Sequence, residues 1–191
     1  MNPTPLRLRA GGLAAALLAA GIAAGCTMLI GPDVTPPSVP AALAVAGPLA
    51  PMDVTLHVCD YAQVLLRFDM PGFATSAERE RLLGDGSRKA DGSRGNPGEG
   101  VNLRVTVTRV ERPWFGPERQ VVVNTWDAAT SGVSSYGESY VGRDVGGITL
   151  PRGRYRFDVT LLAPAPALAQ MPASVAVGSS FKLGPDPAKC G

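Results

Sequence analysis

Three cysteines, one histidine and a doubled Asp-Gly-Ser-Arg are the groups with which this sequence could do chemistry. A nucleophilic serine would need the strained Gly-x-Ser-x-Gly elbow with a base in reach, and no such pentapeptide occurs. His57 stands alone in the chain, so neither a proton relay nor a zinc site with converging ligands is encoded around it. The glycines at 84, 86, 92, 95, 98 and 100 do not open a helix after a strand, which is the arrangement that cradles phosphate. No enzyme, cofactor or metal site is therefore expected. What remains is thiol chemistry: acylation of one cysteine and oxidation of the other two.

Cys26 is the acylation candidate. Residues 10–24 are only Ala, Gly, Leu and Ile, behind the basic Arg7 and Arg9. The run is shorter than the about 20 apolar residues that span a bilayer, so it reads as a secretory leader. Ile22-Ala23-Ala24-Gly25-Cys26 resembles the bacterial lipobox, in which cleavage ahead of the cysteine leaves a lipid-bearing N-terminus. It departs from the usual form in having Ala23 where leucine is commonest. Thr27, rather than aspartate, follows the cysteine, which points to the outer membrane and a body facing the periplasm. The expected division is a signal peptide at 1–25, a Pro-rich tether at 26–51 and a folded domain at 52–191.

Cys59 and Cys190 then form an even pair in an oxidising compartment and are expected to bridge. Closing so long a loop is worth about 4 kcal/mol in the chain-entropy view. The 18 Lys and Arg against 16 Asp and Glu become balanced once Arg7 and Arg9 leave with the leader. No cluster of positive charge is left to hold nucleic acid or an anionic membrane, so the membrane is reached only through the lipid.

Two loops carry unusual composition. Gly84-Asp85-Gly86-Ser87-Arg88 is followed by Asp91-Gly92-Ser93-Arg94-Gly95, and each Asp-Gly favours a turn with positive φ. Asp85 and Asp91 supply too few oxygens for calcium, which takes six or more. Alternating Asp85, Arg88, Asp91 and Arg94 read either as internal pairing that stiffens the loop or as a charged recognition surface. Pro113-Trp114-Phe115-Gly116-Pro117 lies between two strands, beside Arg112 and Arg119. Adjacent large aromatics at a hairpin tip cannot both face one core. Trp114 and Phe115 are thus either interface anchors or rings folded back over an open sandwich end.

The elements that position these loops are strands. Val101, Leu103, Val105 and Val107 alternate with Asn102, Arg104, Thr106 and Thr108; Tyr155, Phe157, Val159 and Leu161 alternate with polar residues in the same way. Met52, Val54, Leu56 and Val58 form a third such set and Val64, Leu66 and Phe68 a fourth, with further strands over 120–126, 139–150 and 174–183. Six prolines in 27–51 favour an extended spacer, although 41–46 could form an edge strand. Thr75-Ser76-Ala77-Glu78 is a capping box for one short helix that Gly84 would stop and that Leu82 and Leu83 would have to anchor. The expected fold is mainly β: an immunoglobulin-like antiparallel β-sandwich with one short helix. Tyr155, opening a strand after Leu150-Pro151-Arg152-Gly153, resembles the tyrosine corner of such sandwiches, the alternative being one more core aromatic.

The run 79–95 (RERLLGDGSRKADGSRG), the strand over 101–110 and the run 148–159 (ITLPRGRYRFDV) resemble proteobacterial lipoproteins grouped as domain of unknown function family 5625. That resemblance implies an envelope lipoprotein with a compact β domain and no established activity. Some relatives sit beside secreted phospholipase effectors, which would suit immunity proteins. The expected function is a non-catalytic, lipid-anchored periplasmic binding module whose partner is a protein, an effector in the immunity reading. The alternative is an accessory lipoprotein of an envelope or secretion complex.

Overall fold

Period-two burial builds two stacked sheets. The computed structural model describes residues 28–29, 37–72, 75–85, 87, 95–179 and 184–190. Cys26, Arg88, Asp91, Arg94 and the leader lie outside the described residues. In chain order the strands are β1 (Met28–Leu29), β2 (Ser38–Pro40), β3 (Gly47–Pro48), β4 (Met52–Leu56), β5 (Asp60–Asp69), β6 (Val101–Glu111), β7 (Arg119–Thr130), β8 (Ser135–Tyr136), β9 (Tyr140–Leu150), β10 (Gly153–Leu161) and β11 (Ala173–Ser179). Helix α1 (Ser76–Leu83) stands between β5 and β6. Among the described residues the first sheet runs β1-β4-β10-β6-β7, with β3 also on β10, and the second β2-β11-β5-β9-β8. Apart from the parallel β1–β4 contact, neighbours are antiparallel. Among the described residues this is an immunoglobulin-like β-sandwich with one α-helix.

The inward residues of each strand make one core: Met52, Val54 and Leu56 of β4, Val64, Leu66 and Phe68 of β5, Leu103, Val105 and Val107 of β6, Phe157, Val159 and Leu161 of β10, Val175 and Val177 of β11. Full burial of one such side chain contributes about 1.5–3 kcal/mol, so the alternation decides the fold. The β4 rhythm ends one step earlier than the sequence suggests, because the chain turns after Leu56 toward the other sheet and leaves Val58 exposed.

Residues 37–51, whose prolines suggest a spacer, are bonded into both sheets. The Pro37 carbonyl accepts from Val177 N–H, Ala41 N–H donates to the Ala173 carbonyl, Leu49 N–H donates to the Val159 carbonyl, and Ala41 and Leu43 are buried. Proline is compatible with this because the segment lies on sheet edges, where an N–H can be missing without breaking a ladder.

Several devices hold the sheets in register. At the β9-to-β10 crossover Tyr155 Oη donates to the Pro151 carbonyl at 2.8 Å, which is the tyrosine corner, and burial raises its pKa. Tyr155→Phe is expected to cost about 1 kcal/mol, the net worth of one hydrogen bond. It should appear as a lower urea midpoint with unchanged slope. Trp126 of β7 donates its indole N–H to the Val145 carbonyl of β9 at 3.0 Å. It packs against Gly146, which has φ +113° and where a Cβ would come within 2.9 Å of the indole nitrogen. Cys59, in the turn between β4 and β5, forms a disulfide with Cys190, with Cα atoms 5.6 Å apart.

Candidate interface on the long hairpin

The hairpin of β6 and β7 is longer than the body that supports it. Its ladder runs from Val101 opposite Thr130 to Glu111 opposite Arg119, whereas β10 covers β6 only as far as Tyr155 opposite Arg109. The outer end therefore has no strand beside it on β6, and residues 119–125 of β7 are exposed on both faces. A register shift between Val107 and Thr108 leaves Val123 as an extra residue on β7, a bulge that adds local twist.

Pro113 and Pro117 fix φ on either side of the tip, and Gly116 takes φ +107°, outside the range other residues favour. Arg112 pairs with Glu118 at 3.2 Å across the loop base, and Arg154 of β10 approaches the same carboxylate at 3.8 Å. Above this brace Trp114 is 97% exposed and Phe115 92% exposed. Neither ring folds back over the sandwich. Each could bury about 150–250 Å², worth several kcal/mol at about 25 cal/mol per Å². Few surfaces of a lone domain leave so much apolar area in water.

The Asp-Gly loop is built differently. The Asp85 carboxylate accepts the Ser87 N–H at 2.9 Å, and the Ser87 backbone and side chain together hold its pKa below the usual carboxylate value. Asp85 N–H donates to the Asn96 carbonyl, and the Asn96 side chain bonds the Glu80 carbonyl and the Gly98 N–H. Asp85 thus closes a turn against the end of α1. That helix begins as its capping box dictates, with Thr75 Oγ1 accepting Glu78 N–H at 3.1 Å, and ends at Gly84, whose N–H bonds Glu80. Leu82 and Leu83 are buried beneath it.

His57 is exposed in the turn after β4. Among the described residues no three His, Cys, Asp or Glu side chains converge as metal ligands would.

Sequence reasoning passed over Arg143. It is wholly buried on β9 between Val141 and Val145, pointing inward by the same alternation as those valines. Its guanidinium donates to the Glu99 carbonyl and, at 3.0 Å, to the Leu82 carbonyl at the end of α1, and it lies 5.5 Å from the Phe68 ring centroid. A cation at a helix C-terminus is favourable against the helix dipole. The signal was available: a lone Arg in phase with the inward residues of an otherwise amphipathic strand.

Fold and site together define a stapled β-sandwich presenting one overhanging, aromatic-tipped hairpin. The sequence matches the domain of unknown function DUF5625 over residues 38–179, and the chain belongs to that family. Among solved structures it is similar to the crystal structure of GEBA250068378 from Sulfurospirillum deleyianum. The identity is 16% and the TM-score 0.62, with 78% of this chain and 99% of that one covered, a likeness of fold. No curated protein matches the chain.

Proposed function

We propose that this protein is a non-catalytic, lipid-anchored binding module of the bacterial envelope, one of the proteobacterial lipoproteins in its family. Acylated Cys26 holds it at the outer membrane facing the periplasm, and the hairpin tip captures a protein partner. The observation that carries this reading is the nearly complete exposure of the adjacent Trp114 and Phe115 on a braced, proline-bounded loop. Aromatic side chains of this kind are enriched among residues that dominate protein interfaces. The Cys59–Cys190 bridge supports an oxidising compartment, since structural disulfides are rare in the reducing cytosol.

A secreted effector is the partner in the immunity reading. The second reading is an accessory role in an envelope or secretion complex. It is favoured by the same exposure, because permanent interfaces are the more apolar ones. Capture of the products of neighbouring genes by immobilised protein tests the site. Trp114→Ala with Phe115→Ala is expected to abolish capture and leave the thermal midpoint unchanged, because neither ring touches the core. Undiminished capture would remove the tip from the interface. Rescue of cells from a neighbouring toxin favours the immunity reading, and stoichiometric co-purification with an assembly favours the other.

A further inference from the structure

The outer face of the second sheet carries two buried polar groups that the protein itself does not satisfy. Leu66 and Phe68 of β5 point into the core, so Arg67 between them points out; Val141 and Arg143 of β9 point in, so Gly142 points out. Pairing sets Arg67 between Ser174 of β11 and Gly142 of β9, and Gly142 beside Ser135 of β8. One row across the outer face therefore reads Ser174, Arg67, Gly142, Ser135. Arg67 Nε and Ser135 Oγ are both buried, and neither has a hydrogen-bond partner among the described residues. Buried polar groups are nearly always bonded, so two orphans in one row call for a partner.

Local packing fixes both groups. The Arg67 guanidinium lies 4.5 Å from the centroid of the Tyr140 ring. Tyr140 closes the turn from β8, its carbonyl accepting the Gly137 N–H at 2.9 Å, and a Cβ at Gly137 would run into its ring. A guanidinium laid on so confined a ring keeps its N–H groups pointing outward in its own plane. A Cβ at Gly142 would run into Ser135 Oγ, so that hydroxyl leans across β9 toward Arg67. The missing side chain at Gly142 thus brings the hydroxyl about one strand spacing, ~4.8 Å, from the Arg67 stem rather than two.

No acid compensates the cation. Asp69 and Asp144 share this face in the neighbouring rows, opposite Tyr140 and Leu65. Neither is among the ion pairs of the described residues, and Asp144 accepts instead from Gln63 Nε2 at 3.1 Å and from the Gly146 N–H at 3.0 Å. A fixed guanidinium beside a hydroxyl offers a positive charge and several donors, which suits an oxyanion. We propose that Arg67, on its Tyr140 platform and with Ser135 beside it, binds one oxyanion, the carboxylate or phosphate group of a ligand. The site lies on the other sheet from the hairpin, toward the end of β5 far from the Pro151 crossover, and does not depend on the aromatic tip.

Nitrogen-15 NMR of the full chain carrying Cys26→Ser tests it, with inorganic phosphate and sodium acetate as probes and sodium chloride at matched ionic strength as the blank. The Arg67 Nε–H resonance is expected to move and saturate with an oxyanion, with a dissociation constant of about 10 mM or tighter, and the Ser135 and Gly142 amides should move with it. A tighter response to phosphate assigns the ligand group as a phosphate, and a tighter response to acetate as a carboxylate. Arg67→Lys keeps the charge but loses the fork, so binding followed at the Gly142 amide should weaken at least about tenfold. Ser135→Ala, which removes only a hydroxyl, should weaken it about threefold or more. Absence of saturation with either anion overturns the proposal, as does Arg67→Lys binding as tightly as wild type. A response at Arg67 no larger than that of exposed Arg112 would show charge screening alone and overturn it as well.

Discussion

Reduction of the Cys59–Cys190 bridge is expected to remove about 4–5 kcal/mol of stability, a large share of the about 5–15 kcal/mol that holds a typical domain together. The bridge closes a loop of 131 residues, almost the whole folded body. Its effect falls mainly on the unfolded chain. In the native state the tail it secures has few other ties: Asp186 N–H donates to Thr149 Oγ1 at 3.1 Å, Asp186 caps the turn at Pro187–Lys189, and the residues around it are exposed. Native circular dichroism should hardly change on reduction. The urea midpoint should fall steeply, and the slope should rise, because an uncross-linked unfolded chain exposes more surface. Cys59→Ser with Cys190→Ser should reproduce the result without reductant. An unchanged midpoint would mean that the unfolded chain is already compact enough for the bridge to constrain nothing.

How much of this fold could be read in advance depends on what each residue's periodicity encodes. Val101 to Val107 and Tyr155 to Leu161 declare strands with one dry face, because alternation is the direct imprint of a half-buried sheet. Alternation does not say which sheet a strand joins or where it leaves it. That is why Val58 continues the pattern of β4 in sequence and yet lies exposed beyond its end. Proline density in 37–51 hides two edge strands for a related reason. Proline signals only the loss of a donor, and an edge strand has a donor to spare.

The site divides in the same way. Trp114 and Phe115 are conspicuous from composition alone, but whether they project or fold back depends on how far the hairpin overhangs β10, which is a matter of register. Tyr155 is legible because its partner is four residues away, at the Pro151 carbonyl. Trp126 and Arg143 bind backbone carbonyls at Val145, Glu99 and Leu82 that are distant in sequence, and no local pattern names a distant carbonyl.

Arg143→Met should destabilise the protein by about 1–6 kcal/mol, the range that the opposing terms leave. Burial pushes the guanidinium pKa well below its usual value, down to about 10, against the opposing pull of Glu99. Keeping the charge inside therefore costs about 3 kcal/mol, at about 1.4 kcal/mol per unit. Methionine recovers that cost but forfeits two charge-assisted hydrogen bonds worth about 1.5–3 kcal/mol each, and it orphans the Glu99 carbonyl for about 1–3 more. The Leu82 carbonyl keeps a second donor, the Glu99 N–H at 2.7 Å, so the loss concentrates on the segment after residue 95. Amide exchange at 96–99 should accelerate well beyond that of β5, since Arg143 is what ties this segment to the second sheet. The pH dependence has a definite sign. Because the folded state binds the Arg143 proton less tightly than the unfolded chain does, its penalty is complete below about pH 10 and eases as pH rises above it. Tyr61 and Tyr155, whose pKa values burial raises, lose their contribution over the same alkaline range, but they do so in both proteins and cancel in the difference. The stability gap between wild type and Arg143→Met should therefore widen above pH 10 in paired urea titrations. A gap that is absent at neutral pH, with exchange at Glu99 unchanged, would show that the guanidinium holds nothing its neighbours could not hold without it.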